Sequence, residues 1–187
     1  MLNRRILRIK AFKVLYGSVM SDAVTLAQAE AQLDISCEAT RDLYLYMLSI
    51  VSPLTQIARD RIEAAKSKFN PTEEERNPNM KFAENSLAAL LDQDVDFQKI
   101  IAKKKYSWGQ YDLLLKKVMT SVASKPYYAE YMASPERSLA EDCKLFTRIF
   151  EEEFVDSEEL EMILEEKSLH WNDDLAYSLT WCCKTLK

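Results

Sequence analysis

The residues able to do chemistry are few and unevenly placed. Arg4, Arg5, Arg8, Lys10 and Lys13 crowd positions 1–16 with no acidic residue among them. Such a cluster can neutralise nucleic-acid phosphates, releasing their counterions as it does so. The three arginines also fall at the start of a predicted helix, where cations face the positive end of the dipole at a cost of about 0.3–1 kcal/mol. An anionic partner reverses that sign, whereas a solvated helix start that keeps an apolar peptide soluble does not. Both readings fit the residues. Lys103, Lys104 and Lys105 run into Tyr106 and Trp108, which fits either a second RNA contact with base-stacking rings or a helix C-terminus where lysines suit the dipole.

Other reaction classes find little to work with. The chain holds one histidine, His170, so a catalytic triad or a multi-histidine metal site would have to be built around it alone. Asn172, Asp173 and Asp174 follow closely, but three adjacent helical positions point in different directions, and acids at a helix start serve the dipole. No metal and no cofactor are expected. Cys37, Cys143, Cys182 and Cys183 form no CxxC pair and read as reduced, cytoplasmic thiols, the vicinal pair as simply buried. Glu151, Glu152 and Glu153 would carry a carboxylate-based hydrolase, yet an acid run on a helix is usually a solvated face. With only Gly17 and Gly109 in 187 residues, neither GxGxxG nor GxxxxGK can be written. The expectation is a protein that is not an enzyme.

The elements that hold these groups are helices. Apolar residues recur at three and four positions throughout, and the breaks carry Asn, Asp, Ser or Pro. This predicts helices near 3–20, 24–35, 37–68, 81–91, 94–105, 110–123, 125–132, 138–154, 157–168 and 173–186, an all-α bundle of about eight to ten helices. Ser138 and Ser157 supply capping side chains, and Asn172 is expected to do the same. Pro71 and Pro78 with the Glu73-Glu74-Glu75 run make 71–80 a linker. The chain then divides into an N-terminal helical hairpin, 1–70, and an inserted C-terminal helical bundle, 81–187. On the first helix, Ile9, Phe12, Tyr16 and Val19 form one apolar stripe, and Leu7, Ala11, Val14 and Ser18 form a second. Two stripes predict two packing partners, with Lys10, Lys13 and Gly17 left as a polar seam.

Charge separates along the chain. Residues 130–166 hold thirteen acidic residues against Arg137, Lys144 and Arg148, while Lys99, Lys103, Lys104, Lys105, Lys116 and Lys117 form a second basic patch. An acidic chain that is basic at one end suits local attraction of a polyanion rather than general coating of nucleic acid. The competing reading is a helical protein–protein interaction module without RNA binding, using Trp108, Tyr111, Tyr127, Tyr128 and Tyr131 as anchors; ordinary core is the other role open to those rings. No uninterrupted apolar stretch suits a signal peptide or a membrane span, so a soluble chain is expected.

The run from Arg4 to Tyr16, with Ala11 and the closing Leu15-Tyr16, resembles the opening helix of the NusB family of bacterial transcription antitermination factors. The Asp42–Leu48 helix, the Lys66–Pro71 exit, the Asn77-Pro78-Asn79 turn, Tyr131–Ser134 and Trp171–Asp174 are similar to the enlarged NusB variant of Bacteroidetes-type bacteria. That likeness implies an all-helical, cytoplasmic, RNA-binding adaptor. It would hold boxA-like RNA with NusE, a small-subunit ribosomal protein, within the RNA polymerase antitermination complex. It places Arg4, Arg5 and Arg8, with Lys10, at RNA phosphates and Tyr16 near the RNA and partner surface. The Phe-x-Asn-Gly-like motif of the family's C-terminal core is absent from these residues, so the resemblance implies either the N-terminal portion of a longer protein or a shortened relative.

Overall fold

A computed structural model describes residues 2–21, 24–171 and 173–187. The chain is all-helical, and no strand occurs among the described residues. The helices are α1 (Arg4–Met20), α2 (Leu26–Leu48), α3 (Val51–Lys66), the single turn α4 (Glu73–Arg76), α5 (Ser86–Gln93), α6 (Val95–Lys104), α7 (Asp112–Ser124), α8 (Pro126–Ala133), α9 (Leu139–Ile149), α10 (Glu158–Lys167) and α11 (Leu175–Thr185). Short 3₁₀ turns at Gly109–Tyr111 and Leu169–Trp171 and a π-turn at Phe150–Phe154 join them.

The break expected near residue 36 is absent, and α2 runs on to Leu48. Thr25 opens α2 by accepting the Gln28 N–H while the Gln28 side chain takes the Thr25 N–H at 2.8 Å, and Ser36 is held within the helix, where its hydroxyl accepts from Lys10. The real interruption is at Ser49–Ile50, inside the predicted 37–68 helix. Pro53 causes it: lacking an N–H, it is tolerated in the first turn of α3 but not within a continuous helix. The expected helix at 81–91 begins at Ser86, because the Asn85 side chain accepts from the Leu87 and Ala88 N–H groups. Ser138 and Ser157 cap α9 and α10 as their positions predict. Asn172 lies outside the described residues.

One buried cluster draws on both sides of the 71–80 segment, from Leu43, Tyr46, Met47 and Leu54 to Phe146, Phe150, Leu160 and Cys182. The sequence break at 71–80 is therefore a surface crossing, and the core passes beneath it. At its centre Tyr46 stacks on Trp108, ring centroids 4.2 Å apart, and on Trp171 at 5.5 Å. The polar edges of these rings are satisfied: Trp108 Nε1 donates to Ser49 Oγ at 3.1 Å, Tyr46 Oη to the Ser107 carbonyl at 3.1 Å, and Trp171 Nε1 to the Ala39 carbonyl at 2.9 Å. Burial pushes the Tyr46 hydroxyl far above the ordinary phenol range.

A second buried node ties the start of α5 to α8 and α9. Lys81 Nζ donates to the carbonyls of Tyr131 and Ser134 at 2.6 and 3.0 Å and pairs with Glu141 at 2.8 Å. Tyr131 Oη in turn donates to Asp142, whose other oxygen accepts the Ser86 N–H. Among the anchors weighed for a protein interface, Trp108, Tyr127 and Tyr131 are thus core residues, and Tyr111 and Tyr128 pack against that core. Phe146 is fully buried in the same cluster. Phe146→Ala is expected to lower unfolding free energy by about 3–5 kcal/mol, measured by urea denaturation against the parent chain.

Candidate nucleic-acid interface

The basic end of the molecule is built on α1, whose start is fixed by Asn3: its side chain accepts the Ile6 N–H at 2.9 Å. What decides the helix's rotational setting is Lys10. Its ammonium, in a residue only 4% exposed, donates to Asp174 Oδ2 at 2.7 Å and to Ser36 Oγ at 3.2 Å. Thr40 Oγ1 donates to the same carboxylate oxygen at 2.7 Å. One turn along, Lys13 pairs at the surface with Asp173. Of the polar seam, Lys10 faces the body of the protein while Lys13 stays at the surface, and Asp174 and Asp173 serve as their counter-ions. Asp174 stands at the N-cap position of α11 but gives no side-chain cap bond, because its carboxylate is spent on Lys10 and Thr40.

This corrects the assignment of Lys10 as an RNA contact. Its charge is neutralised inside the molecule, where no phosphate reaches it. The reason is positional: residues 10 and 13 share one helical face, and the turn before α11 brings two carboxylates to it.

At 100° per residue, Arg4, Arg5, Arg8, Phe12, Leu15, Tyr16 and Val19 all lie roughly 120 to 180° around the axis from Lys10. Lys10 pointing inward thus turns this whole set outward. Arg4, Arg5 and Arg8 are exposed and make no ion pair among the described residues. Tyr16 is 60% exposed and stacks on Phe12, which is 69% exposed, with ring centroids 6.2 Å apart. The result is a strip with guanidinium groups at the N-terminal end and aromatic and aliphatic side chains beyond them.

The two-partner expectation for α1 is half met. Ala11, Val14 and Ser18 are half-buried, with Leu7 at their margin, on the side that meets α2. Phe12, Tyr16 and Val19 of the other stripe are well exposed, while Ile9 sits at its margin beside Leu169 and His170. Met20, Val24, Leu26 and Ile35 are further exposed apolar side chains near this end of the chain. An exposed apolar area of this extent, rimmed by cations, marks an interaction surface.

The second basic patch behaves differently. Lys104 pairs with Asp42 at 2.6 Å, Lys116 with Asp112 at 2.6 Å and Lys117 with Glu159 at 2.8 Å. Lys103 and Lys104 occupy the last turn of α6, Lys105 caps it in the left-handed conformation, and Trp108 is in the core. Here the helix C-terminus is the geometry found. Cys182 and Cys183 are buried thiols, and no group of three His, Cys, Asp or Glu that could hold a metal occurs among the described residues. No described helix is long and apolar enough to cross a membrane. Comparison with protein-family models, with curated proteins and with solved structures yields no match for this chain.

The Lys10 partners escape a linear reading because Ser36, Thr40 and Asp174 come together only in space. The signal available was the pairing of two lysines three apart with two adjacent aspartates after a tryptophan. Asp174→Ala leaves the Lys10 ammonium buried and unpaired, and is expected to cost about 3–5 kcal/mol in chemical denaturation. Asp173→Ala breaks an exposed pair and is expected to cost less than about 1 kcal/mol.

Proposed function

We propose that this chain is an RNA-binding adaptor of the NusB kind, a cytoplasmic transcription antitermination factor that holds boxA-like RNA together with NusE. The observation that carries this reading is the outward strip of α1, where Arg4, Arg5 and Arg8 stand exposed with no carboxylate answering them among the described residues. Three cations left unpaired in the positive field of a helix N-terminus, on an acidic chain, favour an anion. Phosphate contacts position a strand and carry the salt dependence. The bare Phe12–Tyr16 portion of the strip suits the protein partner, since exposed aromatic rings give an interface large contact area at low entropic cost. Acidic side chains such as Glu151, Glu158, Glu161 and Glu166 are exposed elsewhere and keep the polyanion confined to the α1 end. The role is one of binding, and no catalytic group is assigned.

A helical protein–protein module without RNA is the second reading, and the bare apolar face of α1 is what favours it. Partners captured from lysate that persist after nuclease, in a preparation free of RNA, would select it.

For the first reading, boxA-like RNA is titrated at several salt concentrations against the parent chain and Arg4→Ala, Arg5→Ala and Arg8→Ala. Each removed arginine is expected to reduce the slope of log affinity against log salt by roughly 0.7 to 0.9. Slopes unchanged in all three variants would remove the basis for assigning RNA to α1.

A further inference from the structure

A cavity of about 350 Å³ opens between α2 and α11, at the end of α1 that bears the arginines. Cys37, Arg41 and Tyr44 reach it from one face of α2, Tyr177 and Trp181 from one face of α11, and Leu2 closes it from the N-terminal strand of chain. Leu2 precedes Arg4 by two residues, so the two Cα atoms are at most about 8 Å apart. The backbone that carries the first arginine therefore starts beside the cavity.

The lining is mainly apolar and aromatic. Tyr177 meets Trp181 edge to face, ring centroids 6.3 Å apart, and Lys184 Nζ sits 5.1 Å from the Trp181 ring centroid. Arg41 and Lys184 are exposed cations that make no ion pair among the described residues. Two polar groups stand at the lining. Ser178 lines the cavity with a fully buried hydroxyl that has no hydrogen-bond partner among the described residues, and Glu38 offers an exposed carboxylate beside it.

We propose that this cavity is a nucleobase pocket: it takes one unpaired base of the RNA strand whose phosphates lie along Arg4, Arg5 and Arg8. The inference rests on the RNA reading given above and adds to it a base-holding site on α11. A planar heteroaromatic ring stacks on Trp181 or Tyr177, as bases do on aromatic platforms. Its exocyclic amino edge donates to Glu38, a pairing seen between acidic side chains and bases. Arg41 and Lys184 meet the flanking phosphates. An aliphatic occupant would leave the Ser178 hydroxyl without a partner, whereas a base carries donor and acceptor atoms at its edge.

Trp181 is the half-exposed tryptophan, Trp108 and Trp171 being buried, so quenching of the intrinsic fluorescence reads this pocket. Cys37 gives a second, mutation-free readout. Burial holds its thiol above the ordinary range, and an occupying base is expected to slow its alkylation by a maleimide further, followed by peptide mass mapping.

The probe is a short single-stranded boxA-like RNA added to the whole chain. Expected results are quenched tryptophan fluorescence and protection of Cys37. Trp181→Ala should weaken binding about 5- to 150-fold with the salt slope unchanged, and Trp181→Phe should recover most of the affinity. If RNA binds with the arginine-dependent slope while Cys37 is not protected and Trp181→Ala binds as the parent does, the pocket is overturned and the RNA reading stands. If no RNA binds at low salt, the RNA reading falls and the pocket with it.

Discussion

The setting of the basic end depends on one buried ion pair. Lys10 and Asp174 meet at 2.7 Å with both side chains almost wholly excluded from solvent. Charges in such a place are costly unless each is paired and hydrogen-bonded, and here Ser36 and Thr40 complete the arrangement. A pair of this kind adds little net stability compared with a hydrophobic contact, but it tolerates few alternatives. Rotating α1 by one residue would bury an unpaired ammonium or expose the aspartate to an apolar neighbour. The pair therefore acts as a register key between α1, α2 and α11.

That key explains why α1 presents an unusual surface. A helix buried by two apolar stripes would turn its cations to water and hide its rings. Because the lysine side is the one drawn inward, the arginines and the Phe12–Tyr16 stack share the outward side. The apolar surface of α1 is thus left bare by electrostatics rather than by a shortage of core. The compact part of the molecule is packed around Tyr46, Trp108 and Trp171, and does not need α1's outer face for its own burial.

The proposed function and the proposed pocket meet at the same end for a related reason. α11 contributes Asp174 to the key and, along its next two turns, Tyr177, Ser178 and Trp181 to the cavity. The helix that orients the arginines also walls the pocket beside them.

Much of this was legible in the linear chain. Periodicity at three and four positions, a scarcity of glycine and side-chain caps at Ser138 and Ser157 specify helices locally, since each depends on residues within a turn or two of one another. The arginine cluster was visible for the same reason. The join between α2 and α3 lies at Ser49–Ile50 rather than near residue 36, because Pro53 is compatible only with the first turn of a new helix. The buried Lys10, the bare aromatic stripe and the cavity between α2 and α11 were decided by tertiary structure alone. They depend on groups as far apart as positions 10 and 174, and no local pattern records which face of a helix a distant carboxylate will claim.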